Sequence, residues 1–330
     1  MRVAVLIVSA LMASGVTAYA AAGVDEPAAP QAVTAAALQQ AIDTLGALDY
    51  DARTSASRLV RRTAPAQAVP ALLRAVAEHS DGYVRYRALV LLTGFNDPRV
   101  RETLVREAGR GEDFFRSAVI EALGDYKVTA AFDTLKAIAA LDGPLQDDAA
   151  LALGRLGDAR ALETLAMLQR TAPRTTQPAI AAAICLLGVN CGSHEHYLTE
   201  TLKFADASVG YQELLRGAAT GLAQLGLAGK AEAVTALLDV GIPSRDPTRS
   251  PVALALATVA LRNTALLTPM LERHPDRAKA IDLVAEGFDM LDEDYDKERF
   301  FALARRTYWD AAEGSPSRDL AQALIGKLDF

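Results

Sequence analysis

The feature that most constrains this chain is that it repeats itself. Apolar helical runs stop at Thr93-Gly94, Leu123-Gly124, Leu156-Gly157, Leu187-Gly188 and Leu225-Gly226, roughly 30 to 38 residues apart. Each stop is followed by a short turn and a second helical segment. Asp97-Pro98-Arg99 and Asp158-Ala159-Arg160 read as one turn written twice, with Pro98 where a missing N–H costs nothing. The second segments share a phrase: Glu102-Thr103-Leu104, Asp133-Thr134-Leu135, Glu163-Thr164-Leu165 and Glu200-Thr201-Leu202, with Asp43-Thr44-Leu45 as an earlier copy. A two-helix unit of this length cannot bury its apolar face alone. Stacked copies make one continuous core in which each repeat touches mainly its neighbours. The glycines are expected to end helices in the left-handed conformation.

Composition agrees with an all-α chain. Hydrophobic residues make up 51% and aromatics 6%, and the abundant Ala and Leu lose little entropy in helices. A formal charge of -7 argues against wholesale nucleic-acid binding, which needs a basic footprint. The first residues are read as an address. Met1-Arg2 precedes an apolar run from Val3 to Val16, and Ala18-Tyr19-Ala20 fits the small-x-small cleavage rule. The expected division is therefore a signal peptide at 1–20, cut after Ala20, a flexible Ala/Pro-rich lead-in at 21–33, a repeat array at 34–275 and a helical C-terminal cap at 276–330. Export to the periplasm or beyond follows from that reading.

The phrase "AALALGRLGDARALETLAML", from Ala149 to Leu168, resembles the HEAT repeats of bacteria, in the short subtype of the phycobilisome lyases. The resemblance is clearest over 51–170 and extends to about 275. It implies a right-handed α-solenoid of about seven HEAT-type helix pairs, with the second helix of each pair lining the inner curve. A starting helix is expected at about 34–48. Pairs are expected at about 51–79, 83–110, 112–141, 144–171, 174–205, 209–240 and 249–273. Leu153 and Leu156 should lie in the seam between repeats. The final segment concentrates Phe288, Tyr295, Phe300, Phe301, Tyr308 and Trp309, read as a cap over the exposed core end, with a ligand or partner site as the alternative.

Four stretches invite chemistry. Cys185 and Cys191 flank the Gly188 turn, and two cysteines at short spacing in an oxidising compartment suggest a disulfide. So short a closed loop would contribute about 2 kcal/mol. "SHEHY" holds His194 and His196, but i and i+2 diverge on a helix, and Ser193 reads as an N-cap. Deoxyhypusine hydroxylases, which are HEAT-like, bind iron through several His-Glu pairs. Here only His194-Glu195 exists, while Ser80 follows His79 and Pro275 follows His274. "DMLDEDYDKE" places Asp292, Asp294 and Asp296 in EF-hand alternation, yet Lys297 and Leu303 stand where that loop needs Gly and Glu. An acidic inter-helix loop is the better reading.

No phosphate loop, nucleophile elbow or paired-cysteine motif occurs. The bilin lyases of this repeat subtype act inside the cell, an export signal argues against that activity, and the shared motifs are those of the repeat. No cofactor or metal is expected. The polar positions of the second helices, Arg101, Glu102, Asp133, Lys136, Glu163, Arg170 and Glu200, are the candidate partner-binding surface. Their mixed charge suits a protein or peptide. The expected function is a non-enzymatic scaffold or adaptor in the bacterial envelope. The alternative is an enzyme or accessory factor with its site in the groove or the aromatic C-terminal segment.

Overall fold

The structure is a computed structural model that describes residues 32–95, 97–206, 210–291 and 294–328. The signal peptide expected at 1–20 and most of the lead-in expected at 21–33 lie outside the described residues. Among those described are 18 α-helices. After α1 (Ala35–Thr44) come α2 (Tyr50–Arg62) with α3 (Pro65–Glu78), α4 (Gly82–Gly94) with α5 (Arg99–Glu107), and α6 (Asp113–Asp125) with α7 (Phe132–Ala139). Then follow α8 (Gln146–Leu156) with α9 (Ala161–Thr171), and α10 (Gln177–Leu186) with α11 (Cys191–Asp206). Next are α12 (Gln212–Leu227) with α13 (Ala231–Gly241), and α14 (Arg249–Arg262) with α15 (Thr264–Arg273). The chain closes with α16 (Arg277–Met290), α17 (Asp294–Asp310) and α18 (Pro316–Lys327). This is an all-α solenoid.

Local signals set these helices. The Asp49 carboxylate accepts from the Ala52 N–H at 2.7 Å, and Asp81 caps Tyr83 and Val84. The twice-written turn is one structure. Asp97 Oδ1 accepts from the backbone N–H and Nε of Arg99, both at 2.9 Å. Asp158 Oδ1 does the same for Arg160 at 3.0 and 3.1 Å. The side-chain and backbone hydrogen bonds from Arg99 hold the Asp97 pKa down at about 2.

The glycines divide their work. Gly157 and Gly188 take the left-handed conformation, with φ of 72° and 81°. Gly94, Gly124 and Gly226 do not, because they are still inside helices. After α6 and α12 the left-handed residue comes three positions later, at Lys127 and Gly229. The true equivalents of Gly124 and Gly226 are therefore seam glycines such as Gly154. A Cβ on Gly154 would lie 2.6 Å from Ala183 Cα on α10, and one on Gly124 would lie 3.0 Å from Ala152 Cα on α8. Gly217 and Gly221 let α12 close on Thr175, Pro178 and Ala182, and Gly226 meets Val259 of α14.

These contacts decide which layer is inside. From α6 to α14 the first helix of each pair packs directly on the next, whereas the second helices are splayed and touch one another little. A stack crowded on one side curves toward that side. The expectation that the second helices line the inner curve is thus corrected: the first helices do. The curvature is tight. Arg262 of α14 reaches Glu121 at 2.8 Å and Asp125 at 3.3 Å, both on α6, and Arg61 of α2 meets Glu298 of α17 at 2.8 Å.

The core forms two clusters that adjoin on α8 and α10, and Leu153 (0% exposed) and Leu156 are buried in the first. The repeat breaks after α15. The chain bends by 118° between α14 and α15, and α16 returns antiparallel on α14, with Gly287 against the Ala253 carbonyl and Arg249 bridging to Glu286 at 2.6 Å. Phe288 and Phe300 pack edge to face at 5.0 Å, and both are buried with Phe301.

Candidate functional site: the inner funnel

Because the inner helices α4 to α14 repeat the same role, their equivalent ends gather at common rims. Helical spacing then aligns stripes from four of them, α6, α8, α12 and α14, along the interior. From α6 come Phe114, Ser117, Glu121 and Asp125. From α8 come Asp147, Asp148 and Arg155. From α12 come Glu213, Arg216, Thr220 and Gln224, and from α14 Pro251, Leu254, Thr258 and Arg262. At the C-terminal rim an ion-pair cluster closes the interior. Arg155 Nη1 lies 2.8 Å from Asp125 and 3.8 Å from Glu121, and Arg262 spans to the same two carboxylates from the opposite side. At the N-terminal rim the interior is open. A cavity of about 500 Å³ there is bounded by Gln212, Arg216, Thr220, Pro251, Leu254 and Met290, among others. Tyr83, Tyr86 and Phe114 form a chain of rings on α4 and α6, with Phe114 47% exposed.

Charge in the funnel is shaped by crowding. Glu121 and Asp125 retain about two-fifths of their side-chain exposure, directed at a confined interior. Burial pushes the Glu121 carboxyl up, but Arg262 and Arg155 outweigh it and leave it below its ordinary value. Asp125 ends above its ordinary value, because burial and the neighbouring Glu121 outweigh the two guanidiniums. Deeper toward the mouth, burial raises Asp147, aided by Glu213 across the funnel and opposed by Thr176. Burial likewise raises Asp148 against a hydrogen bond from Ser117. Neither Asp147 nor Asp148 forms an ion pair among the described residues. Gln224, 7% exposed, has no donor for its Oε1. Arg155 Nε is likewise buried without a partner, so both a donor and an acceptor are left over on these helices.

Arg101, Glu102, Asp133, Lys136, Glu163, Arg170 and Glu200 are all exposed, as expected, but on the outer layer. Arg101 borders a concavity, with Thr93, Asp125, Tyr126 and Lys127. The assignment of helix layers, taken from resemblance, pointed to the outer side. The inner stripe had its own sequence signal in Ser117-Glu121-Asp125 and Arg216-Thr220-Gln224, polar residues at four-residue spacing inside apolar helices.

The remaining candidates resolve simply. Cys185, near the end of α10, is disulfide-bonded to Cys191, the first residue of α11. Since α11 starts at Cys191, Ser193 is inside the helix and is not its N-cap; the Ser193 and His194 N–H groups donate to the Asn190 carbonyl. Burial lowers the His194 pKa. Among the described residues no three His, Cys, Asp or Glu groups gather as a metal site. The side chains of 292–296, where a calcium loop was weighed, lie outside the described residues.

Residues 69–146 match the family model for HEAT repeats, and residues 145–171 match that for the PBS lyase HEAT-like repeat. The chain is thus an all-α solenoid whose residues 69–171 match models of HEAT-like repeats. No curated protein matches the chain. Among solved structures, the chain is similar to the complex of CpcE and CpcF of phycocyanin lyase from Nostoc sp. PCC7120, at 20% identity and TM-score 0.48, covering 81% of this chain and 97% of that one. It is also similar to Kap121p bound to Pho4p, at 12% identity and TM-score 0.36, covering 90% of this chain and 38% of that one.

Proposed function

We propose that this chain is a non-enzymatic scaffold of the bacterial envelope that receives a basic segment of a partner protein in its inner funnel. The observation that carries the reading is the pair Asp147 and Asp148, crowded carboxylates that form no ion pair among the described residues. A lysine or arginine side chain entering from the open rim would satisfy those acceptors. The exposed rings and Leu254 at that rim would cover its apolar stem. An enzymatic reading draws support from the lyase-type repeat match, but that match spans α8 and α9 alone, where it describes repeat packing.

The test is crosslinking of the tagged protein to envelope partners, followed by binding of the captured segment to wild type and to Asp147→Asn/Asp148→Asn. The double variant should bind about tenfold or more weakly, as expected for lost charge-assisted hydrogen bonds. Crosslinks confined to Arg101, Asp133, Lys136 and Glu200, with affinity unchanged in the double variant, would move the interface to the outer helices.

A further inference from the structure

A second concavity lies in the C-terminal cap, lined by residues other than those of the funnel mouth. It has a volume of about 370 Å³ and lies between α15, α17 and α18. Its body is apolar, formed by Phe300, Leu303, Ala304, Leu320 and Leu324. The residues on each helix follow the three-to-four spacing of a single face, so three helices each give one stripe to the same space. The α15 wall runs from Thr264 to Glu272, about 12 Å along the helix axis.

The polar groups of this cavity share one property. The Thr264 hydroxyl donates to the Ala260 carbonyl at 2.6 Å, and the Thr307 hydroxyl to the Leu303 carbonyl at 3.0 Å. The Ser317 hydroxyl donates to Glu272 Oε2 at 3.1 Å. All three have spent their protons and offer lone pairs only. Pro269 sits inside α15, so the Ala265 carbonyl one turn earlier lacks its helical donor, and both residues line the cavity. Glu272 adds a carboxylate that pairs with no cation among the described residues. Only Thr268 keeps a hydroxyl free to donate. A site with an apolar body, a proline-freed carbonyl and an unpaired carboxylate favours a ligand with an apolar chain and a donating, positively charged head.

We propose that the C-terminal cap is a binding site for a small apolar amine, with its chain between α17 and α18 and its ammonium on the Glu272 carboxylate. This site is independent of the funnel reading. It explains why the end of the array is built from three helices around a space instead of one more repeat packed solid.

The experiment is isothermal titration calorimetry of the full chain with three eight-carbon probes that differ only at the head: octylamine, octanol and octanoate. Octylamine should bind saturably and about tenfold or more tightly than octanol, and octanoate should not bind. Glu272→Gln should bring octylamine to the level of octanol. Leu303→Trp fills the cavity from a half-exposed position, so the fold should persist, which circular dichroism checks, while binding of both probes is lost. Equal binding of octanoate, no binding of octylamine, or octylamine binding undiminished in a folded Leu303→Trp variant would each overturn the proposal.

Discussion

At the residue scale, Gly154 and Asp148 show two reasons for an unexpected side chain in a helix. Gly154 sits in the interior of α8, where glycine costs helix stability relative to alanine. It is there because α10 lies where its Cβ would be, with Ala183 Cα at 2.6 Å and the Ala183 carbonyl oxygen at 2.8 Å. The neighbour is backbone and cannot swing aside. Gly154→Ala should therefore destabilise the fold by about 1–3 kcal/mol, read by chemical denaturation. Gly143→Ala, in open space, serves as the control and should stay within about 0.5 kcal/mol.

Asp148 is the opposite case, a group kept at a cost. Its folded pKa is raised by burial, so the folded state holds the proton more tightly than the unfolded chain. Its stability penalty is absent below the ordinary carboxylate value and grows as pH rises through the raised one. Asp148→Asn should raise the melting temperature at pH 7, by about 2 °C for each kcal/mol relieved, and leave it nearly unchanged at pH 3. A gain of equal size at both pH values would refute burial as the cause. A costly carboxylate facing a concavity fits a binding role.

At the element scale, the spacing of Leu-Gly stops and of the Thr-Leu phrases placed the helix pairs from α4 to α13 within a few residues. Periodicity is legible because one stacked unit repeats one set of contacts. The seam position of Leu153 was legible for the same reason, and Leu153→Asp should cost about 3–5 kcal/mol or abolish folding. An unchanged thermal melt would mean that the repeat register is wrong. The register of the glycines was harder to read. In α8 the phrase Leu-Gly-Arg-Leu-Gly contains both kinds, Gly154 for the seam and Gly157 for the left-handed turn. A single alignment of Leu-Gly pairs equated Gly124 with the wrong one. Two glycines three residues apart look alike in sequence and differ only in what stands opposite them.

At the scale of the whole molecule, curvature governs the site. Arg262 and Glu121 are separated by 141 positions and meet at 2.8 Å. With Arg155 and Asp125 they form a clasp across the narrow end of the funnel, and Arg61 with Glu298 forms another between α2 and α17. Such pairs weaken when the Debye length falls to a few ångströms in molar salt. Arg262→Ala should open the array, giving a larger radius of gyration by small-angle scattering at low salt, and 1 M NaCl should bring wild type toward the same value. A radius identical in both proteins and at both salt concentrations would show that packing alone holds the curve.

The amino-acid sequence by itself determined an all-α stack, its helix pairs, its buried leucines and the Cys185–Cys191 pairing. Each of these follows from local spacing or from contacts with the adjacent repeat. The tertiary structure decided which layer faces inward, how tightly the array curls and which charges meet. Those properties accumulate from small rotations at every seam, set by whether a glycine lets two backbones touch. No window of sequence contains that sum, so the seven exposed residues of the second helices and the polar stripe of the first could be told apart only once α6 and α14 were seen to face each other.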